Sequence, residues 1–163
     1  MERIPANVVE NTWDQMGVLS PEVAPELIQR FEVEQPAVLA YLMAADNDDL
    51  NQDERELLLF LGLTVWQIMT QGTQQPPPVT LEMLEEAETR NVGWLESLEQ
   101  KAIGHEDEAG LAMVQEYKQA DVLQGVLEAL MDDDEQDDPG EIRDESKGLL
   151  LLSLKTIIDC LDA

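Results

Sequence analysis

LLLFLGLTVWQIM, residues 57–69, carries the strongest fold signal in this sequence. Ten of the thirteen positions are apolar, with Gly62, Thr64 and Gln67 between them. The run is too short to cross a bilayer, which takes about 20 apolar residues in a helix. It is also apolar nearly all round, so it reads as a helix enclosed by other helices or by another subunit. Just upstream, Asn51 is followed three residues later by Glu54, the spacing of a capping box with Asn as the cap. The helix is therefore expected from about residue 52 to Thr70.

On either side the apolar residues recur at helical spacing, and period-two runs of β-branched residues are nearly absent. Val8, Val9, Trp13 and Met16 mark a first helix from about Pro5, with Gly17 where a left-handed C-cap would fall. Ser20-Pro21 reads as the start of a second, lined by Val23, Leu27, Ile28 and Phe31, although Pro25 is an alternative start. Pro36 opens a third, with Val38, Leu39, Leu42 and Met43. An acidic connector follows, from Ala44 to Asn51.

Downstream, residues 71–79 form a linker ending in Pro76-Pro77-Pro78, a stiff extended run. Thr80 is placed to cap a fifth helix, with Val79 and Leu84 at the positions of a hydrophobic staple. A sixth helix is expected to run unbroken from near Glu108 to Met131, and a last one from about Glu141 to Leu161. Between them lies an acidic loop over 132–140. The expectation is one all-α domain over 1–163. It would be an irregular bundle of six to seven helices, with the linker as a possible boundary between two helical subdomains.

Charge narrows the function. The chain has 36 Asp and Glu against 9 Lys and Arg, a formal net charge of −27. Residues 1–50 carry 10 acids and 2 bases, 51–100 carry 9 and 2, and 101–163 carry 17 and 5. Every portion is acidic, so there is no basic patch to displace counterions from phosphates. Direct nucleic-acid binding and attachment to anionic membranes are not expected. One cysteine, Cys160, rules out an intramolecular disulfide and suits a reducing compartment; with no signal-peptide pattern, the expected location is cytoplasmic.

Chemistry-bearing residues are sparse. The one histidine, His105, stands in an acidic loop and offers no choice of partner for a triad or for paired E-x-x-H metal ligation. Cys160 lies among Ile157, Ile158 and Leu161, as a buried, inert thiol would. Asp133, Glu135 and Asp137 have the alternate spacing of a calcium loop, but Asp138 stands where glycine belongs. They are weak metal suspects, and neither a specific metal nor a cofactor is expected. Trp13, Trp66 and Trp94 fit core positions better than a stacking platform. Leu149, Leu150, Leu151 and Leu152 exceed what one helix face buries. They mark either a fully buried segment or a surface for self-association or partner binding.

The expected function is a non-enzymatic protein–protein interaction module (an adaptor, chaperone or regulatory subunit) whose field steers a basic protein partner. A homo-oligomer also fits. The alternative is a nucleic-acid mimic occupying the cationic groove of another protein. Carboxylate- or divalent-metal-dependent catalysis ranks below both, and adaptation to high salt would explain the acidity without a function.

Overall fold

The structure, a computed structural model, describes residues 2–44, 49–103, 112–131 and 142–163. It is an all-α bundle. Seven helices are α1 (Ala6–Gly17), α2 (Ala24–Glu34), α3 (Pro36–Ala44), α4 (Gln52–Thr70), α5 (Leu81–Ile103), α6 (Ala120–Met131) and α7 (Asp144–Leu161). A further helical turn covers 112–115. Among the described residues no helix is long and apolar enough to cross a membrane.

Helix α4 is the hub, touching α1, α2, α3, α6 and α7. Leu58, Leu61, Val65, Trp66, Ile68 and Met69 are essentially inaccessible, as an all-round apolar helix requires. Trp66 stacks at a tilt on Phe31 of α2, with ring centroids 5.0 Å apart. Gly62 admits α3, because a Cβ there would lie 2.5 Å from a Leu42 methyl. The capping box forms in full: Asn51 Oδ1 accepts from Glu54 N–H at 2.8 Å, and Glu54 Oε1 accepts from Asn51 N–H at 2.9 Å.

The second hub is α7, which packs on α4, α5 and α6. Helix α5 begins as expected: Thr80 Oγ1 accepts from Met83 N–H at 3.2 Å, and Val79 and Leu84 are both buried. The linker before it is held by Gln35 at the end of α2. Gln35 donates to Pro77 O at 2.8 Å and accepts from Val79 N–H at 3.0 Å, supplying in one side chain the partners that an extended segment lacks.

Three local expectations change. The sixth helix does not run unbroken to Met131; it is interrupted over 116–119. There Tyr117 and Gln119 turn inward to the partly buried carboxylates of Asp159 and Asp162. Gly17 is the last residue of α1 and does not adopt a left-handed conformation, and the chain leaves through Val18 at φ −112°. The second helix starts close to the Pro25 alternative and not at Ser20-Pro21: residues 21–23 form a turn in which Ser20 Oγ accepts from Val23 N–H at 3.3 Å, and α2 begins at Ala24 with Pro25 in its first turn.

Candidate functional site

Two regions bring polar and aromatic side chains together, one closed and one open. The closed one lies where α5, α7 and the 116–119 break meet. Lys155 and Asp159 are one turn apart on α7, so they share a face. Asn91 and Trp94 reach that face from α5, and Tyr117 reaches it from the break.

Lys155 Nζ donates to Asn91 Oδ1 at 2.6 Å and to Asp159 Oδ2 at 3.1 Å. It also stands 4.8 Å from the centre of the Trp94 ring and 4.6 Å from that of Tyr117. Asn91 Nδ2 donates to Asp159 Oδ2 at 2.9 Å and to Thr156 Oγ1 at 3.2 Å. Tyr117 donates its hydroxyl to Asp159 Oδ1 in a short hydrogen bond. Burial and the neighbouring Asp159 carboxylate push the Tyr117 phenol well above its ordinary range. Beside it, burial first and Asp159 second push the Cys160 thiol up to about 11, so it is not a thiolate at neutral pH. The ammonium has two acceptors and stands over two aromatic rings. Its chemistry is structural: it pins three segments together.

Two further buried polar side chains work in the same way. Gln119, fully buried, donates to Glu2 O at 3.0 Å and to Asp162 Oδ1 at 2.8 Å, and accepts from Ile4 N–H at 2.9 Å. Glu54, also fully buried, receives Arg143 Nη2 at 2.8 Å and Arg143 N–H at 3.1 Å, tying the start of α4 to the start of α7. Burial alone would raise its pKa, but hydrogen bonds from Arg143, Ser146 and the backbone outweigh that and hold it at about 2.

The open region is a pocket of about 250 Å³ on the seam of α1 and α6, lined by Glu10, Trp13, Asp14, Gly125, Glu128 and Ala129. Trp13 is partly buried, and its indole packs close enough to α6 that a Cβ at Gly125 would be 2.6 Å from Nε1. Glu10, Asp14 and Glu128 are exposed around it. A second concavity of about 240 Å³ lies between α3 and α4, where Leu42, Met43 and Leu59 meet Gln52, Arg55 and Glu56. Its rim carries both signs of charge.

The sequence-derived candidates fall elsewhere. Leu150 and Leu151 belong to the core, Leu152 is 9% exposed and Leu149 packs against the core from its edge. These leucines fill the chain's own interior. Asp133, Glu135, Asp137 and His105 lie outside the described residues. Among the described residues no cluster of three or more His, Cys, Asp or Glu is placed to hold a metal ion. Cys160 is buried, in the position expected of it.

Sequence reasoning missed the Lys155 network, although its signal was present. A lysine inside a largely apolar stretch such as 149–158 calls for a counter-charge, and Asp159 stands four residues on. Comparison with protein-family models, curated proteins and solved structures finds no match to this chain.

Proposed function

We propose that this protein is a non-enzymatic interaction module whose anionic exterior captures a basic protein partner. One observation carries the reading: among the described residues, five of the chain's nine lysines and arginines pair with its own carboxylates. Arg3 pairs with Asp121, Arg30 with Glu34, Lys118 with Asp162, Arg143 with Glu54 and Glu145, and Lys155 with Asp159. Much of the formal charge of −27 is thus carried by carboxylates on the outer helix faces, Glu10, Glu26, Glu32, Glu82 and Glu128 among them. Such a field raises the encounter rate with a cationic surface and disfavours anionic ones. The interior supports the same reading, since among the described residues the buried Glu54 carboxylate and Lys155 ammonium are tied into internal hydrogen bonds and ion pairs.

The test is affinity capture from the source cell at low ionic strength, followed by elution as the Debye length falls from about 10 Å at 0.1 M salt to about 3 Å at 1 M. A basic protein retained at low salt and released at high salt supports the proposal. Retention of background proteins alone, at every ionic strength, refutes it. Competition with duplex DNA then separates an ordinary partner surface, which is indifferent to DNA, from a nucleic-acid mimic, whose target DNA displaces.

A further inference from the structure

We infer that the pocket between α1 and α6 seats an arginine side chain of that basic partner. The inference rests on the interaction reading above and adds a site to it. It starts from the three tryptophans. Two have a cation of this chain over the indole: Lys155 is 4.8 Å from the Trp94 ring centre and Arg30 is 5.5 Å from that of Trp66. Among the described residues, no lysine or arginine stands over Trp13 or pairs with Glu10, Asp14 or Glu128; the partner of Glu128 is Gln124, at 3.3 Å. Yet Trp13 has more carboxylates around it than a cation needs. Glu10 and Asp14 flank it on α1, and Glu128 faces it from α6.

The shape suits a flat cation. Gly125 and Ala129, one turn apart on α6, keep the floor shallow, and the indole forms an apolar wall. A guanidinium stacks on an indole while its edge N–H groups reach carboxylates in the same plane, which a spherical ammonium cannot do. Guanidinium is also the more weakly hydrated of the two cations, so its entry into a half-apolar pocket costs less. Glu26 and Glu32 on α2 are exposed acids that line neither hollow, and they make a charge-matched control.

The experiment titrates hexa-arginine and hexalysine peptides into the full chain and follows the indole N–H signals by NMR, with the Trp13 signal assigned by its loss in Trp13→Phe. Hexa-arginine is expected to move the Trp13 signal. Replacing Glu10→Gln together with Glu128→Gln should weaken its binding about tenfold, the scale of one charge-assisted hydrogen bond. Replacing Glu26→Gln together with Glu32→Gln removes the same charge and should change binding by less than about twofold. Hexalysine should bind more weakly and leave the Trp13 signal nearly still. If both double variants weaken binding equally, or hexalysine moves the Trp13 signal as far, the arginine seat is wrong while the anionic-surface reading stands. If neither peptide binds at low salt, both readings fall.

Discussion

Trp94 and Trp13 are set among similar residue types and come to opposite ends. Around Trp94, a carboxylate, an amide and a second aromatic ring close on Lys155, which is 5% exposed. Around Trp13, three carboxylates stay in water beside an open hollow. The difference lies in where the cation comes from. At Trp94 the chain supplies it from the same helix as the carboxylate, so the charges neutralise each other as the bundle closes. At Trp13 the described residues supply the negative half alone. A buried cage with its own cation acts as a staple, and an exposed one without it has the form of a receptor.

The largest expected effect would break the closed side of this contrast. Asp159→Ala strands the Lys155 ammonium and leaves the Tyr117 hydroxyl without its acceptor, so it should cost about 3–5 kcal/mol in urea unfolding. Lys155→Met combined with Asp159→Asn removes both charges and keeps an oxygen for Tyr117. That pair should return to within about 2 kcal/mol of the parent, because a matched apolar replacement of a buried ion pair is often near neutral. A cost below about 1 kcal/mol for Asp159→Ala would mean the network is not a buried pin at all.

Glu54 and Arg143 extend the comparison to a second closed pair, and here the lever is pH. The Glu54 carboxyl lies at about 2 in the fold against an ordinary 4.5. A depressed pKa contributes stability that is present above the ordinary value and lost as pH falls through the folded one. The contribution should be about 3 kcal/mol, fading between roughly pH 5 and pH 2. Glu54→Gln should lower stability at neutral pH and flatten that part of the stability–pH curve. An unchanged acid limb in the variant would assign the acid sensitivity to other carboxylates.

Much of this fold is legible in the sequence, and the illegible parts share a physical cause. Helix α4 could be read because its apolar residues are contiguous and its cap is local, Asn51 to Glu54. Thr80 and the Val79–Leu84 staple were readable for the same reason. Long-range polar contacts leave no periodic trace, so the hold of Gln35 on the linker and of Gln119 on both ends of the chain were missed. The break at 116–119 did leave one: the spacing of the large apolar residues jumps from three (Val114 to Tyr117) to five (Tyr117 to Val122), which turns the later stripe away from the earlier face. The open pocket is harder to read. Glu10, Trp13 and Asp14 look like any amphipathic helix until Gly125 and Glu128, more than a hundred residues away, complete the hollow.

Gly125→Ala sharpens the open side. The added methyl would stand 2.6 Å from Trp13 Nε1, and a rigid indole yields less readily than the flexible Leu42 that faces Gly62. Overpacking of this kind costs about 1–3 kcal/mol, and alanine regains about 1 kcal/mol in a helix interior. The net should be a loss of about 1 kcal/mol with a shift in Trp13 fluorescence. Stabilisation by the full helix-propensity gain would mean that the indole does not rest on α6.

The smallest effect is the most telling for the comparison. Glu10→Gln with Glu128→Gln removes two carboxylates from the pocket rim. Both are exposed, and Glu128 takes one hydrogen bond, from Gln124. If these carboxylates serve a partner rather than the fold, unfolding free energy should change by less than about 0.5 kcal/mol. At low ionic strength the change should lean towards stabilisation, since a chain of net charge −27 repels itself. A loss of 2 kcal/mol or more, on the order of a buried interaction, would place these carboxylates within the folding machinery alongside Asp159. The contrast between a cage that holds the protein together and a hollow open to a cation from outside would then disappear.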